Sequence, residues 1–136
     1  MREAGRSQGS LTVELIILIP VVFLFILLAL AMGRFELARE EIVSAARAGA
    51  EAAAVVPVPG DAQAAALQAV DPVVDGQSCS QLTVAADTAE FVPGGSVRVT
   101  VSCQISFSDL LVPGFSGRAA IQAAVSAPID PLRALP

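Results

Sequence analysis

Apolar residues along this chain follow three patterns in turn, and each predicts a different element. From Leu15 to Met32, 18 consecutive positions carry no charge and only Pro20 interrupts the run. At ~1.5 Å of rise per residue, such a helix covers roughly 27 Å, about the hydrocarbon thickness of a bilayer. Pro20 would weaken a helix in water. In lipid, a local adjustment or a neighbouring helix satisfies the carbonyl it frees. Arg47 and Glu51 break the Ala-rich run that follows, so a single transmembrane helix is expected, over 10–33.

The second pattern has a helical period. Phe35, Ala38, Ile42, Ala45, Gly49 and Ala52 recur at alternating spacings of three and four, a narrow packing seam on an amphipathic extension over 34–55. No Pro occurs between Arg34 and Ala54, and Ala, Glu and Arg dominate. One helix is therefore predicted from about Leu11 to about Val55, stopped by Pro57 and Pro59-Gly60. Two coverings suit its seam: helices of neighbouring subunits, or the C-terminal part of the same chain. A linker over 56–78 holds a short second helix, Ala62 to Val70, with Asp61 as its expected N-cap and Asp71-Pro72 as its stop.

The third pattern has a period of two. Val97, Val99, Val101, Cys103, Ile105 and Phe107 alternate with Arg98, Thr100, Ser102, Gln104 and Ser106, which predicts a half-buried strand. Leu82, Val84 and Ala86 form a shorter strand before it, and Arg118 to Ala127 reads as a third. Pro93-Gly94-Gly95 supplies turn residues for an antiparallel hairpin in which Ala86 faces Val97 and Val84 faces Val99. The fold class is α+β: a long N-terminal helix, then a small antiparallel β domain over 79–136. So small a sheet cannot bury enough apolar surface alone; it needs the helix or a covalent staple.

Composition narrows the chemistry. The chain has 136 residues and a formal charge of −5, with Arg as its only base and no His, Trp or Tyr. Without His there is no imidazole metal site and no Ser-His or Cys-His nucleophile pair. Without Lys there is no Schiff base and no Walker-type phosphate cradle. An acidic chain lacking Tyr and Trp is poorly suited to nucleic acid. Paired carboxylates such as Glu40-Glu41, or Asp71 with Asp75, read as solvated surface. No enzyme activity, metal, cofactor or small-molecule substrate is expected.

Cys79 and Cys103 are the only thiols. The expected register places Ser80 opposite Cys103, with Cys79 one position away and within disulfide reach if the strand start twists. Such a bridge would stabilise the sheet by roughly 3.5 kcal/mol on the loop-entropy model. The alternative is a pair of unpaired thiols, with Cys103 serving as a small core residue.

The boundary before the apolar run carries the functional signal. A polar leader over 1–9 ends at Gly9, then come Ser10-Leu11-Thr12-Val13-Glu14 and at once the span. A Gly at the water–lipid boundary, with a lone Glu five residues on at the head of an apolar helix, resembles a type IV prepilin processing site. With Pro20 and Met32-Gly33-Arg34-Phe35, it looks like the TadE/TadF family of pilus-assembly pseudopilins. Residues 5–55 carry the resemblance; Pro128-Ile129-Asp130 and Leu132-Arg133 extend it more loosely.

The resemblance implies cleavage after Gly9 by a prepilin peptidase and a new amino terminus at Ser10. That amine would pair with Glu14 of a neighbouring subunit. It implies a pilus-assembly role and four partners: membrane lipid, the prepilin peptidase, other pilin or pseudopilin subunits and the Tad inner-membrane platform. A bland reading of the same residues makes Ser10 an N-cap and Glu14 a first-turn acid favoured by the macrodipole.

Two other functions compete: a small secreted protein cleaved after Ala31, at the A-x-A-like Ala29-Leu30-Ala31, or a single-pass membrane interaction protein. Bases are balanced across the span, so a cytoplasmic N-terminus and an extracytoplasmic sheet follow from the resemblance and the expected disulfide rather than from charge.

Overall fold

The computed structural model describes residues 4–74, 76, 79–106 and 117–133, with the side chains of 4–8 and 10 set aside. Two compact units emerge, Met1–Glu36 and Leu37–Pro136. Helix α1, Ala4–Val55, contributes to both. It starts seven residues before the expected Leu11, so the polar leader is helical from Ala4 onward.

The first unit is a bare helix. Every large apolar side chain from Leu11 to Met32 is exposed, Ile16 to 65% for example. This is the one helix among the described residues long and apolar enough to cross a membrane. Pro20 lies inside it without ending it.

The second unit is an α+β fold. Strands β1 (Gln81–Asp87), β2 (Ser96–Ser106) and β3 (Arg118–Pro128) form an antiparallel sheet in the order β1-β2-β3. Helix α2 spans Ala62–Val70, as its pattern predicts, and a short 3₁₀ turn, Pro59–Asp61, leads into it. Asp61 stands at the expected N-cap position of α2, but its side chain does not cap the helix. It is the last residue of that turn and makes no cap hydrogen bond.

One face of the sheet is buried. Val97, Val99, Val101 and Cys103 of β2 lie between Val84 of β1 and Ile121 of β3, and all belong to a core shared with α1 and α2. Arg98 and the other even-numbered positions of β2 point away from it, the alternation that a one-sided sheet requires. Phe107, the last expected position of that alternation, lies outside the described residues.

The β1–β2 register differs from expectation by two. Ala86 faces Val99, Val84 faces Val101 and Leu82 faces Cys103. A slip of two keeps every side chain on its face, so the apolar pattern cannot detect it. The connection decides it. Instead of a tight turn at Pro93-Gly94-Gly95, the whole stretch 88–95 forms the link and sends Phe91 into the core. The Phe91 N–H bonds the Thr88 carbonyl, and the Gly95 N–H bonds the Val92 carbonyl. Both glycines are needed: Gly94 has φ +79°, and a Cβ on Gly95 would collide with the Glu90 carbonyl.

Candidate functional site

Gly9, Ser10 and Glu14 all lie within α1. The helix runs through Ser10, so Ser10 is not an N-cap of the intact chain. Glu14 is exposed and sits nearly three turns beyond Ala4, whereas the macrodipole acts within the first turn. The helix end therefore does not account for an acid at this position. Glu14 is also the only charged residue between Gly9 and Arg34. Gly9 is under no packing constraint: a Cβ there would meet nothing within 4 Å.

The six seam positions have different fates. Ile42, Ala45 and Gly49 are buried, Ala38 is partly buried against the core, Ala52 is intermediate, and Phe35 remains 40% exposed. Ala46, Ala50, Ala53 and Ala54, outside the expected seam, complete the buried stripe. A strict heptad seam belongs to a supercoiled helix. On a straight α-helix, the contact line drifts by ~20° per heptad. The sheet and α2 of the same chain cover this stripe, one of the two coverings the sequence allowed.

Gly49 marks the closest approach. A Cβ placed there would lie 2.9 Å from Val70 Cγ2 of α2 and 3.1 Å from Val99 Cγ1 of β2. Ala62, Ala66 and Val70 form the buried face of α2, at the i, i+4, i+8 spacing of one helical stripe.

Three polar devices close the unit. The Gln63 amide donates to the Val84 carbonyl at 2.8 Å, and its carbonyl oxygen accepts from the Ala86 N–H at 2.7 Å. It thereby covers backbone groups on the outer edge of β1, which would otherwise invite pairing with another chain. Arg133 donates to the Ala54 carbonyl at 2.7 Å and also to the Val55 carbonyl. The last turn of α1 has no base of its own, so this guanidinium supplies the cation that a helix C-terminus favours. Ile129, 1% exposed, anchors the same segment, and its N–H and carbonyl bond the Gly95 carbonyl and the Gly94 N–H.

Cys79 and Cys103 form a disulfide with Cα atoms 5.5 Å apart. They reach each other although Leu82, not Ser80, faces Cys103. The chain turns just before β1, where the Ser80 N–H and hydroxyl both donate to the Gln104 carbonyl, each at 2.8 Å. That turn brings Cys79 back beside the inner face of β2. Gln63, Phe91, Ile129 and Arg133 were not singled out by the sequence patterns for these contacts. Their partners are distant in sequence (79 positions for Arg133 to Ala54), so no local spacing announces them.

One exposed apolar N-terminal helix and one disulfide-closed α+β unit define a class of small two-part proteins. Within that class, residues 9–57 match the family model described as TadE-like protein. The match begins at Gly9 and ends two residues past α1, so the similarity lies in the helix and not in the sheet. No curated protein and no solved structure matches.

Proposed function

We propose that this chain is a membrane-anchored pseudopilin, a non-catalytic subunit that acts in assembly of a Tad pilus or a related secretion machine. One observation carries the reading. The TadE-like match opens at Gly9, where a polar leader gives way to an apolar stretch whose sole charge before Arg34 is Glu14. Prepilin peptidase cuts after Gly9, and the Ser10 amine of one subunit pairs with Glu14 of its neighbour. A lone carboxylate costs up to ~3 kcal/mol at the centre of a bilayer and less towards the interface, and the pairing offsets that cost. The N-terminus is cytoplasmic and the α+β unit extracytoplasmic, where a disulfide persists. The other partners are lipid, further pilin or pseudopilin subunits and the inner-membrane platform.

N-terminal sequencing of the membrane-associated protein tests this. A start at Ser10 is expected. A start at Met32 would point to secretion after Ala31, and an intact Met1 to an unprocessed single-pass protein. Glu14→Ala is expected to impair cleavage or assembly, and the role given to Glu14 is wrong if both proceed unchanged.

A further inference from the structure

The bond assigned to processing lies inside a helix. Since α1 begins at Ala4, the Gly9–Ser10 peptide has helical chain on both sides. Hydrolysis adds one water across this amide, leaving a carboxylate on Gly9 and an amine on Ser10. The attacking water and the enzyme's groups must reach the carbonyl in a defined geometry, and a helical turn keeps that carbonyl engaged with its own backbone. The turn must open first.

Two further observations bear on where it opens. Neither packing nor backbone geometry demands glycine at position 9. Its added Cβ would be unopposed, and Gly94 is the only glycine with positive φ among the described residues. In the helix, Gly9 therefore brings only weakness. Gly5, Ser7 and Ser10 add to it, so four of the seven residues from Ala4 to Ser10 are Gly or Ser. From Leu11 to Met32 the chain is apolar apart from Thr12 and Glu14, and opening there would expose unsatisfied backbone groups to hydrocarbon.

We infer that helix fraying selects the cut and sets its rate: α1 opens from Ala4 through Ser10, lipid halts the opening at Leu11, and the peptidase acts on the opened turn. This rests on the processing reading above. Leader substitutions should then alter cleavage in proportion to their helix propensity, without touching Gly9, Ser10 or Glu14.

The test is single-turnover cleavage of the full chain in membranes containing prepilin peptidase, with product termini sequenced. Gly5→Ala should slow cleavage about fivefold, the equivalent of the ~1 kcal/mol separating Gly from Ala in a helix. Ser7→Ala should slow it about twofold, and Ser7→Gly should accelerate it by a similar factor. Ser7→Val, bulkier than Ala but close to Ser in propensity, should match the wild type. Rates that follow side-chain bulk, or that stay constant across the series, overturn the inference while leaving processing at Gly9 intact. A wild-type chain not cut after Gly9 overturns the processing reading and this inference with it.

Discussion

Gly49→Ala is the most informative single change in the α+β unit, because two opposing effects can be sized. Alanine raises helix propensity by ~1 kcal/mol relative to glycine. The new methyl would sit 2.9 Å from Val70 Cγ2 and 3.1 Å from Val99 Cγ1, where carbon atoms prefer about 3.5–4.0 Å. Both neighbours are β-branched, fully buried and held by different elements, so neither rotates away at little cost. Overpacking of this kind costs about 1–3 kcal/mol, so a net loss of about 1 kcal/mol is expected. With no Trp or Tyr to report by fluorescence, amide hydrogen exchange of the full chain in detergent is the residue-level assay. Protection at Val99 and Val101 should fall about fivefold, since ~1.4 kcal/mol corresponds to tenfold. Gly33→Ala is the control: its Cβ would meet nothing within 4 Å, and it should leave those amides unchanged. Combining Gly49→Ala with Val70→Ala relieves the closer contact and should give a coupling energy of at least ~0.5 kcal/mol. Full protection in Gly49→Ala, or strictly additive effects in the double variant, would refute the close-approach argument.

Changes at three further places probe the devices that close this unit. Replacing both Cys79 and Cys103 with Ser should lower the stability of the sheet by about 3.5 kcal/mol, read as faster exchange throughout β2. Gln63→Ala strips the Val84 carbonyl and Ala86 N–H of their partner. It should cost about 1–2 kcal/mol, with exchange at the Ala86 amide accelerating most. Arg133→Met removes a charge-assisted contact from the end of α1 and should cost about 1–2 kcal/mol. Arg133→Lys, which keeps the charge but not the fork, should recover only part of that in thermal melts followed by circular dichroism.

The legible part of this protein is its local periodicity. An unbroken apolar run, a helical spacing and an alternation each state what one face of one element needs, so the long helix, α2 and the three strands could be read directly. The step at Gly9–Glu14 was legible for the same reason, since polarity changes there within a few neighbouring residues. The helical state of the leader was not. Four of the seven residues 4–10 are Gly or Ser, weak helix formers, and they continue a helix whose strong formers lie downstream.

What only the tertiary structure decided was how faces meet. A two-residue slip between β1 and β2 is invisible to a period-two pattern, and burial of Phe91 with the crowding at Gly95 chose between the registers. The heptad spacing placed Ala52 on the seam, but the straight helix buried Ala53 instead. Gln63 on the edge of β1 and Arg133 on the last carbonyls of α1 bind groups that any residue at those backbone positions would present. Side-chain period encodes which way a residue points, whereas its partner depends on chain closure over tens of residues, and that is settled only when the core assembles.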